Sequence, residues 1–87
     1  MKVENVEKNG RAIPNQFVIH SQEGRSFQSY NSTIIFWSND GKIYLDTNKW
    51  DYSVTTGKYR NLLLGEKKSE TKKKIKDGIY ILKDLNA

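Results

Sequence analysis

The chain has no cysteine, one histidine and one proline among its 87 residues. Without cysteine there is no disulfide scaffold, no thiolate metal site and no thiol nucleophile. Apolar residues make up only 36% of the sequence, and no run of them approaches the ~18–20 that cross a bilayer. Residues 1–10 lack the apolar centre of a secretory signal. Glycine-rich phosphate loops are missing as well. Neither GxxxxGK[S/T] nor GxGxxG occurs, and Gly57-Lys58 has no glycine at the required distance upstream. The length allows one domain, residues 1–87, with 1–12 expected to be loosely ordered, and about 60–65% of the unfolded surface removed from water. These absences lead us to expect a soluble, cytoplasmic domain of modest stability, with no membrane association.

Catalytic chemistry is equally thin. A general base for a hydroxyl nucleophile would have to be His20, which falls mid-strand with no nucleophile elbow and no oxyanion loop near it. His20 has no recognised metal-ligand spacing to Glu23, Asp46 or Asp51. Asp46 and Asp51 are available as a carboxylate pair, but Asp51 serves equally well as a polar cap near a helix start. The expectation is a protein without catalytic residues, metal or cofactor.

Ten aromatic residues set the chain apart from disordered sequences, which are aromatic-poor. Its charge is also unevenly placed. Residues 1–57 are neutral overall, whereas residues 58–76 carry eight Lys/Arg against Glu66 and Glu70, so the whole +5 excess arises in one basic segment. Such a block steers a polyanion toward one face, or simply keeps a surface solvated.

Residues 16–21 and 25–30 read as strands around Gln22-Glu23-Gly24, a three-residue loop whose register opposes Ile19 to Phe27. Phe17, Ile19 and Phe27 would then share a face, with His20 and Gln28 on the other. Residues 33–38 and 42–46 flank Asp40-Gly41, a strong hairpin signal. Taken as a two-residue loop, it pairs Trp37 with Tyr44 and Phe36 with Leu45. One face would carry Ile34, Phe36, Ile43 and Leu45, and the other Ile35, Trp37 and Tyr44. Thr55 or Thr56 is a suitable cap, and Gly65 a suitable terminator, for a helix that buries Tyr59, Leu62 and Leu63. Ser69 can open a second short, lysine-filled helix, and residues 79–82 close the chain as a strand. A short strand near residues 3–6 is also indicated. The main order, β-β-β-β-α-α-β, predicts an α+β fold: a small antiparallel sheet of two hairpins plus a C-terminal strand, with one or two short helices packed on one face.

Five stretches together resemble a known group: NQFVI (15–19), FQSYNSTI (27–34), YLD (44–46), WDYSVTTGKYRNLLLGE (50–66) and KKIKDGIYILKDLN (73–86). The pattern is similar to a family of small proteins from phages, prophages and plasmids of low-GC Gram-positive bacteria. The resemblance spans residues 13–86 and implies a mobile-element origin, hence the host cytoplasm, but brings no active site with it. It directs attention to two roles: handling the element's nucleic acid, and disabling a host protein.

Nucleic acid is held by cations along its backbone and, when single-stranded, by bases stacked on aromatic rings. The expected phosphate contacts are Lys58, Arg60, Lys67, Lys68, Lys72, Lys73, Lys74 and Lys76, with Trp37 and Tyr44 as stacking or partner contacts. Trp50 and Tyr59 read instead as clamps holding a helix to the sheet. The leading reading is sequence-tolerant nucleic-acid binding. The alternative is an inhibitor of a host defence or host-machinery protein, its basic face set against an acidic, nucleic-acid-handling partner, in the manner of an anti-CRISPR factor.

Overall fold

A computed structural model describes all 87 residues. Five strands form an antiparallel meander: β1 (Lys2–Lys8), β2 (Arg11–Ser21), β3 (Gly24–Ser29), β4 (Ser32–Ser38) and β5 (Ile43–Asp46). Two helices, α1 (Val54–Leu64) and α2 (Lys68–Lys76), then cross over to β6 (Tyr80–Lys83), which lies parallel to β5 at the sheet edge. The class is α+β as expected, but the sheet has six strands rather than two hairpins and a closing strand. The additional one is β1, in the segment expected to be loosely ordered. Asn9 and Gly10, both at positive φ (55° and 78°), turn it back onto β2. Asn-Gly suits that two-residue turn because both residues tolerate the left-handed conformation.

Both internal hairpins run one residue out of the expected register. Ser21 pairs with Gly24, so the β2–β3 loop is Gln22-Glu23 alone and Gly24 belongs to β3. A Cβ at Gly24 would overlap the Trp37 carbonyl oxygen, so this strand position requires glycine. The β4–β5 loop is longer than expected: the Ser38 amide donates to the Lys42 carbonyl across Asn39, Asp40 and Gly41, with Gly41 at φ 89°. The Asn39 amide also donates to Glu23 of the neighbouring loop, and Asp40 accepts from the Lys42 amide. These contacts outside the two-residue turn select the longer loop.

A one-residue slip exchanges the faces of a strand. Val18, Phe27, Ile35 and Leu45 align across four strands on the helix-covered face. Phe36 opposes Tyr44 rather than Leu45, and Trp37 opposes Ile43. Trp37 and Leu45 therefore share a face, contrary to the expected register. Opposite Phe27 and Gln28, β4 has one residue too many, and this bulge at Ile34 lets consecutive Ile34 and Ile35 both bury completely.

The core is Val6, Phe27, Ile34, Ile35, Leu45, Tyr59 and Tyr80. As many polar side chains are buried beside it, including Gln16, Ser29, Asp46, Thr56, Arg60, Glu66 and Thr71. Helix α1 starts two or three residues earlier than a Thr55 or Thr56 cap would place it: the Ser53 hydroxyl accepts from the Thr56 amide at 3.1 Å. Thr56 is instead buried, sharing a 2.8 Å hydrogen bond with Ser29 of β3. Gly65 ends α1 in the left-handed conformation, as expected. The buried side of α1 is Thr56, Gly57, Tyr59 and Arg60, with Leu63 half-buried, whereas Leu62 is 46% exposed. The expected Tyr59–Leu62–Leu63 stripe is thus rotated toward Arg60. Lys67, not Ser69, precedes α2, and the Glu70 carboxylate accepts from its amide.

Candidate nucleic-acid interface

The eight cations of the basic segment divide into two groups. Arg60 is turned inward and 1% exposed. Its Nη1 donates to the Trp50 carbonyl (2.8 Å) and to Asp51 Oδ1 (3.0 Å), and its Nη2 donates to Asn61 Oδ1 (2.8 Å). The guanidinium lies 5.1 Å from the Trp50 ring centroid. Arg60 therefore joins α1 to the loop before it and cannot reach a phosphate. Lys68 pairs with the other oxygen of Asp51. Burial works to raise the Asp51 pKa, but the bonds from Lys68 and Arg60 outweigh it and hold the carboxyl below its usual value.

Lys74 is also engaged. Its Nζ donates to Glu66 Oε1 at 2.6 Å and lies 5.4 Å from the Tyr80 ring centroid. Glu66 accepts as well from Thr71 (2.6 Å) and Tyr80 (2.8 Å), so one carboxylate fastens the end of α1, helix α2 and strand β6 together. Burial favours the neutral Glu66, but these three donors prevail and lower its pKa. The hydrogen bond to Glu66 raises that of Lys74. Nothing in the residue types alone marked Glu66 as this node. Its place directly after the terminating Gly65 was the available signal.

Lys58, Lys67, Lys72, Lys73 and Lys76 remain exposed with no carboxylate in ion-pair reach. Lys68, Lys72 and Lys76 follow one another at i, i+4 along α2, with Lys73 beside them. Like charges at that spacing repel by a few tenths of a kcal/mol per pair. Lys73, Lys74 and Lys76 lie in the last turn, where the helix dipole offsets part of that cost.

The stacking pair is not assembled. Trp37 lies on the helix side of the sheet, half-buried, with the Arg25 guanidinium 4.7 Å from its ring centroid. Tyr44 lies on the opposite face beside Phe36, ring centroids 6.2 Å apart. Tyr59 is buried in the core and Trp50 packs against it, as clamps should. His20 Nε2 lies 3.2 Å from Glu4 Oε1. Asp46 accepts from the amides of Asn48, Lys49 and Leu85, and Asp51 is bound to its two cations, so the two carboxylates hold loops. No group of three or more His, Asp or Glu is placed to hold a metal ion.

The fold and surface define a small six-stranded α+β domain with a lysine-rich helical layer on one side and an open sheet on the other. Over residues 1–78 the chain matches a family of unknown function, DUF8033, and belongs to it. No curated protein and no solved structure matches it. No helix is long and apolar enough to cross a membrane.

Proposed function

We propose that this chain is a non-catalytic binding module, of the mobile-element type that its sequence resembles. In this reading it holds nucleic acid without sequence preference along the exposed lysines of α2, with Lys67 at the start of that helix and Lys58 of α1 adding to the charge. The observation that carries the reading is the set of exposed lysines of α2 that no carboxylate pairs. Lys72, Lys73 and Lys76 have no anionic partner, and Lys72 and Lys76 stand at repelling i, i+4 spacing, while Lys68 and Lys74 are paired. A phosphate backbone relieves that repulsion and releases counterions as it binds. Arg60 and Lys74 fall outside the interface because their charges are used within the fold.

The test is titration of labelled single- and double-stranded oligonucleotides at several salt concentrations. Replacing Lys72, Lys73 and Lys76 together with Gln should flatten the log–log salt slope by about 2–3, at ~0.7–0.9 per phosphate contact. Stability should hardly change, since exposed lysines contribute little to the fold. Wild-type protein that binds no tighter than about millimolar at low salt, or an unchanged slope in the triple variant, refutes the reading.

A further inference from the structure

On the sheet face turned away from the helices, Ile19, Ser26, Phe36 and Tyr44 are all part-exposed. Register places Val3, Ile19, Ser26, Phe36, Tyr44 and Ile81 in one line across all six strands. Val3 and Ile81, at its two ends, are 58% and 37% exposed. No charge interrupts the line, and the cation beside it is Lys83, 5.5 Å from the Tyr44 ring centroid. A sheet face open to water is ordinarily polar. A largely apolar line on one, interrupted only by Ser26, marks a contact surface.

We propose that this face binds a second copy of the same chain, sheet against sheet, in a two-fold symmetric dimer. The charge distribution selects that occupant. The basic segment lies in the helical layer on the far side, so a face-to-face pair keeps its two lysine-rich layers as far apart as the molecule allows. The face itself offers a polyanion little to hold. Its extent is sufficient too. Six strands at ~4.8 Å spacing, of four to eleven residues at ~3.3 Å each, make a face of roughly 600 Å². That is of the order of the ~800 Å² that each partner contributes to a standard interface. The middle of the line is self-complementary, since a two-fold axis between β3 and β4 sets Phe36 of one copy over the small Ser26 of the other. The interface does not depend on the nucleic-acid reading and is measured without any ligand.

Light scattering and sedimentation equilibrium on the full chain decide it. Wild-type protein should tend to about 20 kDa, twice the 10.1 kDa of the chain. Phe36→Glu should return it to monomer mass. If Phe36→Glu does not fold, the paired Val3→Glu and Ile81→Glu changes, at positions already exposed in the monomer, should do the same with an unaltered circular dichroism spectrum. Leu62→Glu, on the helical layer, should leave the dimer intact. A wild-type mass of 10.1 kDa up to ~0.5 mM overturns the proposal, whatever other protein the face then binds. So does a dimer that persists in the folded Val3/Ile81 double variant.

Discussion

Replacing Arg60 with alanine separates a structural cation from a binding one. The guanidinium is 1% exposed, makes three hydrogen bonds of 2.8–3.0 Å and stacks on Trp50. Truncation would leave the Trp50 carbonyl and Asn61 without that donor, open a void under α1 and strip Asp51 of one of its two cations. Removing one partner from a buried ion pair costs about 3–5 kcal/mol. Asp51 is 29% exposed at its side chain and keeps Lys68, so the lower end applies, near 3 kcal/mol. A domain of this length has roughly 4–13 kcal/mol in total, so much of its stability is at stake. Urea unfolding followed by tryptophan fluorescence suits the question, because Trp50 lies against the group removed. With a slope near 1 kcal/mol/M, the midpoint should fall by about 3 M. Arg60→Lys should lose part of this, since it keeps the charge but not the planar fork. A phosphate-binding arginine would behave in the opposite way, with unchanged stability and a salt slope lowered by ~0.7–0.9. An Arg60→Ala midpoint within ~0.5 M of wild type would therefore refute the structural assignment.

Two further outcomes follow from the buried polar groups. The Glu66 pKa is lower in the folded chain than in the unfolded one, so the unfolded state binds the extra proton. Its contribution is complete above the unfolded value, near 4.5, and is lost as pH falls through the folded one. Glu66→Gln should thus be less stable than wild type at neutral pH by an amount that shrinks on acidification. Parallel losses at both pH values would disprove the linkage. Gln16 is fully buried with neither amide atom hydrogen-bonded to the protein, and unsatisfied burial costs about 1–3 kcal/mol. Gln16→Met, of similar length, should raise the thermal midpoint, whereas a lowered midpoint would show that an ordered water had satisfied the amide.

Much of the secondary structure was legible because its signals are local. Gly65 marks the end of α1 through its own left-handed backbone, and Asp40-Gly41 marks a turn wherever the strands lie. Asn9-Gly10 carried the same kind of signal for β1. Loop length was less legible. Gln22-Glu23-Gly24 and Asn39-Asp40-Gly41 are both compatible with two- or three-residue connections. The choice depended on a close approach to the Trp37 carbonyl in one case and a contact between neighbouring loops in the other.

The sequence by itself determined the class of fold, the turn positions and the confinement of the excess charge to residues 58–76, since these follow from residue type and local conformation. Tertiary structure decided which side chains were spent inside. Lys74 differs from Lys72 and Lys73 only in the direction α2 turns it, and Arg60 is turned inward on α1; both directions depend on Asp51, Glu66 and Trp50 coming within reach. It likewise parted Trp37 from Tyr44, because a single residue of register, set by contacts between loops, moves a side chain to the opposite face of a sheet.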